Sequence, residues 1–130
     1  MKVKERRALL ETHANPDSAL DYVSGLLGTL QAFGLGKPTL LSIHYAPARM
    51  IIAPAAFGRY LEALSALEWD SLEQLATEVL GDFNDHLIGR WVRVVVTAPE
   101  GAYPGVGSHE VLIEDRQPGW DNPSLLSRLA

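Results

Sequence analysis

The chain has 130 residues, 47% of them hydrophobic, which suits one core and therefore one domain. Its 16 acidic and 11 basic side chains leave a net charge of −5 spread along the sequence, which excludes the clustered cations that a nucleic-acid surface needs. Cysteine is absent, so disulfides, thiolate metal centres and sulfur nucleophiles are excluded, and no apolar run reaches the roughly 20 residues that span a bilayer.

The opening Met-Lys-Val-Lys-Glu-Arg-Arg is followed by only a short apolar run before Glu11, so a soluble, cytoplasmic protein is expected. Residues 1–18 are polar and end in the turn-forming Asn15-Pro16-Asp17, which reads as an arm leading into the domain. The domain itself is expected over 19–116, with 117–130 as a tail. A weak first strand lies between Ala19 and Leu30, interrupted by Gly25 and Gly28. After the loop Phe33-Gly34-Leu35-Gly36-Lys37-Pro38, a second strand runs from Thr39 to Ile52. Its Leu41, Ile43 and Tyr45 share one face and Ser42 and His44 the other, until Pro47 forces a bulge or an edge position.

Pro54 suits the first turn of a helix, and Phe57, Leu61, Leu64 and Leu67 follow at helical spacing. A second helix is predicted from Asp70, which with Glu73 forms a capping-box pattern, to about Leu87. Its stripe of Leu72, Leu75, Ala76, Val79, Leu80, Phe83 and Leu87 is the clearest periodic signal and reads as core. The β-branched and aromatic run from Arg90 to Thr97 predicts a strand, and the loop from Ala98 to Gly107 connects it to a returning strand from Ser108 to Asp115. On that strand Val111 and Ile113 face opposite to Glu110, Leu112 and Glu114. The segment from Gln117 to Pro123 breaks the sheet and leaves room for a short final helix.

The order is strand, strand, helix, helix, strand, strand. It predicts an α+β layer in which two helices cover one face of a four-stranded antiparallel sheet. Such a sheet has two open edges, and closing them with neighbouring copies into a barrel makes a homo-oligomer the expected state.

This order resembles the tunnelling fold, and particular residues resemble one branch of it. Glu11-Thr12, Asn15-Pro16, Asp21-Tyr22, Ile43-His44-Tyr45-Ala46-Pro47-Ala48-Arg49, Tyr60-Leu61, Glu73, Leu80, Asp82 and Arg90-Trp91-Val92-Arg93-Val94 fall in the spacing of the NADPH-dependent 7-cyano-7-deazaguanine (nitrile) reductases, which make the queuosine precursor. The resemblance covers roughly residues 10–115. It implies the fold, a deazaguanine-type ligand and, for full members, a cysteine that adds to the nitrile carbon beside an aspartic acid that supplies a proton.

The chain departs from that pattern where the chemistry sits. The cysteine position of the family loop Cys-Pro-x-Thr-Gly-x-Pro-Asp-Phe is Leu30 here, and the acid position is Lys37, so neither nucleophile nor proton donor is present. The family's Glu-x-Lys-Ser-x-Lys-x-Tyr segment, whose lysines are expected to meet NADPH phosphates, reads Ala53-Pro54-Ala55-Ala56-Phe57-Gly58-Arg59-Tyr60. Only Tyr60 keeps its place and Arg59 is one position off, which leaves little charge for NADPH. The His preceding the family's ring-binding glutamate is Leu72 here. Glu73 matches that glutamate, whose carboxylate accepts the N–H edge of a purine- or pterin-like ring; the same residue is equally explained as a helix cap.

His44 is either an acid–base group or a hydrogen-bonded surface histidine. His13, His86 and His109 are far apart in sequence and lack metal-site spacing, so no metal is expected. Trp69 and Trp91 read as packing residues, and Trp120 as an aromatic that anchors the tail on a neighbouring subunit. Gly34-Leu35-Gly36 and Gly105-Val106-Gly107 read as turns, not as a nucleotide signature.

Three functions follow in order: a heterocycle-binding relative of the reductases that has lost thioimide chemistry, a non-catalytic structural or regulatory partner in an oligomer, and a nitrile reductase with an atypical site.

Overall fold

Apolar residues alternate in the central strands and recur every three to four positions in the two long helices, and those two periods generate the layers of the molecule. The computed structural model describes residues 1–129, and Ala130, the end of the expected tail, lies outside the described residues. The elements are α1 (Val3–Ala8), β1 (Thr12–Ala14), β2 (Ser24–Leu30), β3 (Thr39–Ala46), β4 (Met50–Ile52), α2 (Pro54–Ser65), α3 (Leu72–Leu87), β5 (Trp91–Thr97), β6 (Glu110–Arg116) and α4 (Pro123–Leu126).

Four strands form an antiparallel sheet in the order β2-β3-β5-β6, so β2 and β6 are its edges. Its helix-facing side carries Leu26, Leu41, Ile43, Tyr45, Val92, Val94, Val96, Val111 and Ile113, packed against Phe57, Tyr60 and Leu64 of α2 and Leu72, Leu75, Val79, Phe83 and Leu87 of α3. Gly28 lies on this face because the chain cannot spare room there: an added Cβ would sit 2.3 Å from Leu61 Cδ1 and 3.2 Å from Phe57 Cε2. The glycine that weakens β2 as a sequence signal is therefore what lets α2 lie close against it. On the opposite side the register aligns Leu27, Ser42, Val95 and Leu112 in one row across all four strands, with Leu27 70% and Leu112 53% exposed.

Several boundaries differ from expectation. The second strand does not continue to Ile52: β3 ends at Ala46, and Met50–Ile52 forms β4, which pairs with β1 in a separate two-stranded sheet. Pro47 cannot donate to a ladder, and the chain turns there.

The first eighteen residues contain a helix and a strand that pack on the domain. Arg6 of α1 is only 4% exposed and is held by α3, as described below. The helix cap is also one residue later than expected. Ser71, not Asp70, is the N-cap of α3, its hydroxyl accepting from Gln74 N at 3.0 Å, while Gln74 Oε1 accepts from Asp70 N at 2.6 Å. Glu73 takes no part in the cap.

Candidate functional site

Three connections meet at the end of the sheet where β3 begins and β5 ends: the β2–β3 loop, the turn from α2 into α3, and the β5–β6 hairpin. The register places Leu30 opposite Thr39 and Thr97 opposite Leu40 and Glu110, which fixes all three at that end. The β2–β3 loop holds Phe33, Gly34 and Gly36 at φ of 60°, 62° and 73°, a left-handed path that explains its glycines. Between this loop and the α2–α3 turn lies a cleft of about 460 Å³ walled by Phe33 and Trp69, with Glu68 and Asp70 on its lining. Trp69 is fixed as helix-end packing by donating its indole N–H to Leu64 O at 3.0 Å.

Glu73 lies in the first turn of α3, where the helix dipole favours a carboxylate. Its side chain is 63% exposed, and one of its oxygens lies 3.7 Å from Nε2 of His109 on the β5–β6 connection. The base of that connection is pinned by a backbone bond from Ala98 N to His109 O at 2.9 Å. Lys37 belongs to the β2–β3 loop at the same end and is exposed. Leu30, the family's cysteine position, is 2% exposed and belongs to the hydrophobic core.

The other candidates lie elsewhere. His44 sits on the helix-free side of β3, five residues along from its start, roughly 16 Å at strand rise from the Glu73 end. Its ring lies over Gly25, where an added Cβ would come 3.0 Å from Nε2. Burial, and then the neighbouring Arg93 guanidinium, lower the pKa of His44 below the ordinary imidazole range. Arg93 itself stacks on Trp91 and bonds Glu114 at 3.2 Å. Burial works to raise the Glu114 pKa, but bonds from Arg116, Trp91 and Arg93 outweigh it and hold the carboxyl low.

Tyr60 and Arg59 lie in opposite surroundings. Tyr60 is fully buried, and its hydroxyl donates to Asp82 Oδ2 at 2.6 Å; burial first, and then Asp82, push its pKa far up. Arg59 is exposed and lies 3.4 Å from Glu11. The flanking residues Ala53, Ala56 and Phe57 are buried, and Pro54 has no N–H to give.

Asp82 is the centre of a buried polar cluster that the sequence reading did not anticipate. Arg6 grips it through Nε at 2.6 Å and Nη2 at 2.8 Å, Arg7 adds Nε at 3.0 Å, and Arg6 also reaches Glu78 at 3.0 Å. The bond to Asp82 raises the Arg6 pKa further above its already high ordinary value. With donors from α1 and α2 on one carboxylate of α3, the cluster ties three helices together. Trp120 is half-buried within its own chain, with its indole N–H buried and unpartnered.

Among the described residues, no three metal-ligating side chains come together, and no helix is long and apolar enough to cross a membrane.

No known family model matches the chain, and no curated protein sequence does. Among solved structures, the chain is similar to an archaeosine synthase QueF-like protein in its apo form, at 21% identity and a TM-score of 0.56, covering 77% of this chain and 95% of that one. It also aligns with a protein named for dihydroneopterin aldolase (FolB) from Vibrio cholerae O1 biovar El Tor, at 16% identity and a TM-score of 0.42, covering 83% of this chain and 98% of that one. With the archaeosine synthase as the template, the two-strand, two-helix, two-strand order and the antiparallel sheet under α2 and α3 are the tunnelling fold.

Proposed function

We infer that this protein binds a purine- or pterin-like ring through the carboxylate of Glu73, at a site completed by a neighbouring copy, and does no sulfur chemistry on it. The observation that carries the reading is the position of the helix cap. Ser71 and Gln74 satisfy the end of α3, so the cap does not occupy the carboxylate at position 73, which stays exposed in the first turn. Such a group suits the two parallel N–H donors of an amino-substituted ring.

The motif resemblance supplies the ligand class, a deazaguanine-type ring. The same chain lacks the means for thioimide formation, since it contains no cysteine and position 30 is a core leucine. The free edges β2 and β6 give a neighbouring copy its route of attachment.

The test is thermal stabilisation of the purified protein by 7-deazaguanine, guanine and pterin. Ligand at 100 times its Kd raises stability by about 2.7 kcal/mol. We expect the wild type to respond and Glu73→Ala not to. If neither melts higher with any of the three rings, the purely structural role as an oligomer partner replaces this reading.

A further inference from the structure

We propose that His109 is the second ring-reading residue of this site, and that it selects rings carrying a carbonyl next to the N–H edge that Glu73 accepts. The proposal rests on the Glu73 reading above and adds to that site a second residue, one that reads the ring carbonyl.

Glu73 and His109 come from different elements, the first turn of α3 and the end of the β5–β6 connection, and meet with 3.7 Å between carboxylate oxygen and Nε2. That separation exceeds a made hydrogen bond, so neither group uses up the other. Both are open to a ligand, with 63% of the Glu73 side chain and 37% of the His109 side chain exposed. As a stabilising device the pair has little value, because exposed ion pairs contribute little to folding. As a recognition surface it has a defined pattern. A carboxylate only accepts, and an imidazole carries an N–H in either protonation state.

Side by side the two offer acceptor, acceptor, donor. The complementary edge is amino N–H, ring N–H, ring carbonyl, which is the edge of guanine-like and pterin-like lactams. An adenine-like ring offers one amino N–H beside an acceptor ring nitrogen, so the ring nitrogen can take the imidazole N–H but one carboxylate oxygen is left without a donor, which is the costly outcome in recognition. The backbone beneath the His109 ring is held in place, because its carbonyl closes the hairpin on Ala98.

The experiment compares calorimetric affinities of full-length wild type and variants for 7-deazaguanine and its 6-thioxo analogue, in which sulfur, a weaker acceptor, replaces the carbonyl oxygen while both N–H donors stay. A neutral hydrogen bond has a net value of about 0.5–1.5 kcal/mol, so the wild type is expected to prefer the oxo ring by about threefold to tenfold. His109→Leu is expected to bring that preference near one, His109→Gln to keep part of it, and Glu73→Gln to lose both rings.

A preference that survives His109→Leu unchanged overturns the proposal, as does a wild type that binds both rings equally. Either result leaves the Glu73 reading standing if Glu73→Gln abolishes binding, whereas a wild type that binds neither ring removes both. Should His109→Leu melt early, the ¹⁵N imidazole resonances of wild-type His109 on adding 7-deazaguanine decide instead: a shift supports the contact, and no shift ends the proposal.

Discussion

Two of the four carboxylates on helix α3 are in opposite circumstances. Asp82 is wholly buried and receives four donors, from Arg6 twice, Arg7 and Tyr60. Glu73, in the first turn of the same helix, is 63% exposed and has one neighbour at 3.7 Å. The difference separates a group spent on the scaffold from a group left for something else. A buried charge must be fully partnered or the fold fails, while an exposed one can stay unpartnered at almost no cost.

Breaking the first half of that contrast has the largest expected effect. Asp82→Ala strands Arg6 and the Tyr60 hydroxyl in the core, and a loss of about 3–5 kcal/mol is expected in urea unfolding. A variant within about 0.5 kcal/mol of wild type contradicts the scaffold role. Next comes the cap that releases Glu73 from structural duty. Ser71→Ala is expected to cost about 1 kcal/mol and Asp70→Ala much less, because Asp70 contributes its backbone N–H and not its carboxylate. Equal losses from the two would return Glu73 to the capping box.

A smaller effect sharpens the comparison on the sheet side. The folded pKa of His44 lies below its unfolded value of about 6.5, so the unfolded chain takes up the proton first as pH falls. Stability is therefore fully present above that value and declines below it, towards the lowered folded pKa. His44→Gln should flatten this part of a melting-temperature profile between about pH 7 and 5, and an unchanged slope would show that another group is responsible. The smallest effect belongs to Glu73→Gln, expected within about 0.5 kcal/mol of wild type without ligand. A large loss there would mean that the carboxylate holds the fold after all.

The parts of the fold that were legible in sequence are those where one periodic face is buried. The stripe from Leu72 to Leu87, the alternation in β3 and the β-branched run of β5 record such faces directly, and all three elements lie within a residue or two of expectation except at Pro47. The first helix was not legible, because its inward residue is an arginine. Polarity argues for solvent, and only Asp82, itself hidden among apolar neighbours on α3, makes burial tolerable. The cap was misplaced by one residue since Asp70 and Ser71 are both good cap formers, and the choice lies in backbone geometry.

As a candidate, Glu73 is legible only through the family resemblance, and His109 reads in sequence as one of several scattered histidines. No local spacing records that a hairpin end will return to a helix start. Only the strand pairing of β5 with β6 brings it there.

The Arg6–Asp82 bond also sets a schedule for the nascent chain. The guanidinium is synthesised before its counter-charge, which lies 76 residues downstream. At 5–20 residues per second it waits roughly 4–15 seconds before α3 can neutralise it. Until α3 exists α1 has no counter-charge to dock against, so its docking depends on a contact made late in the chain.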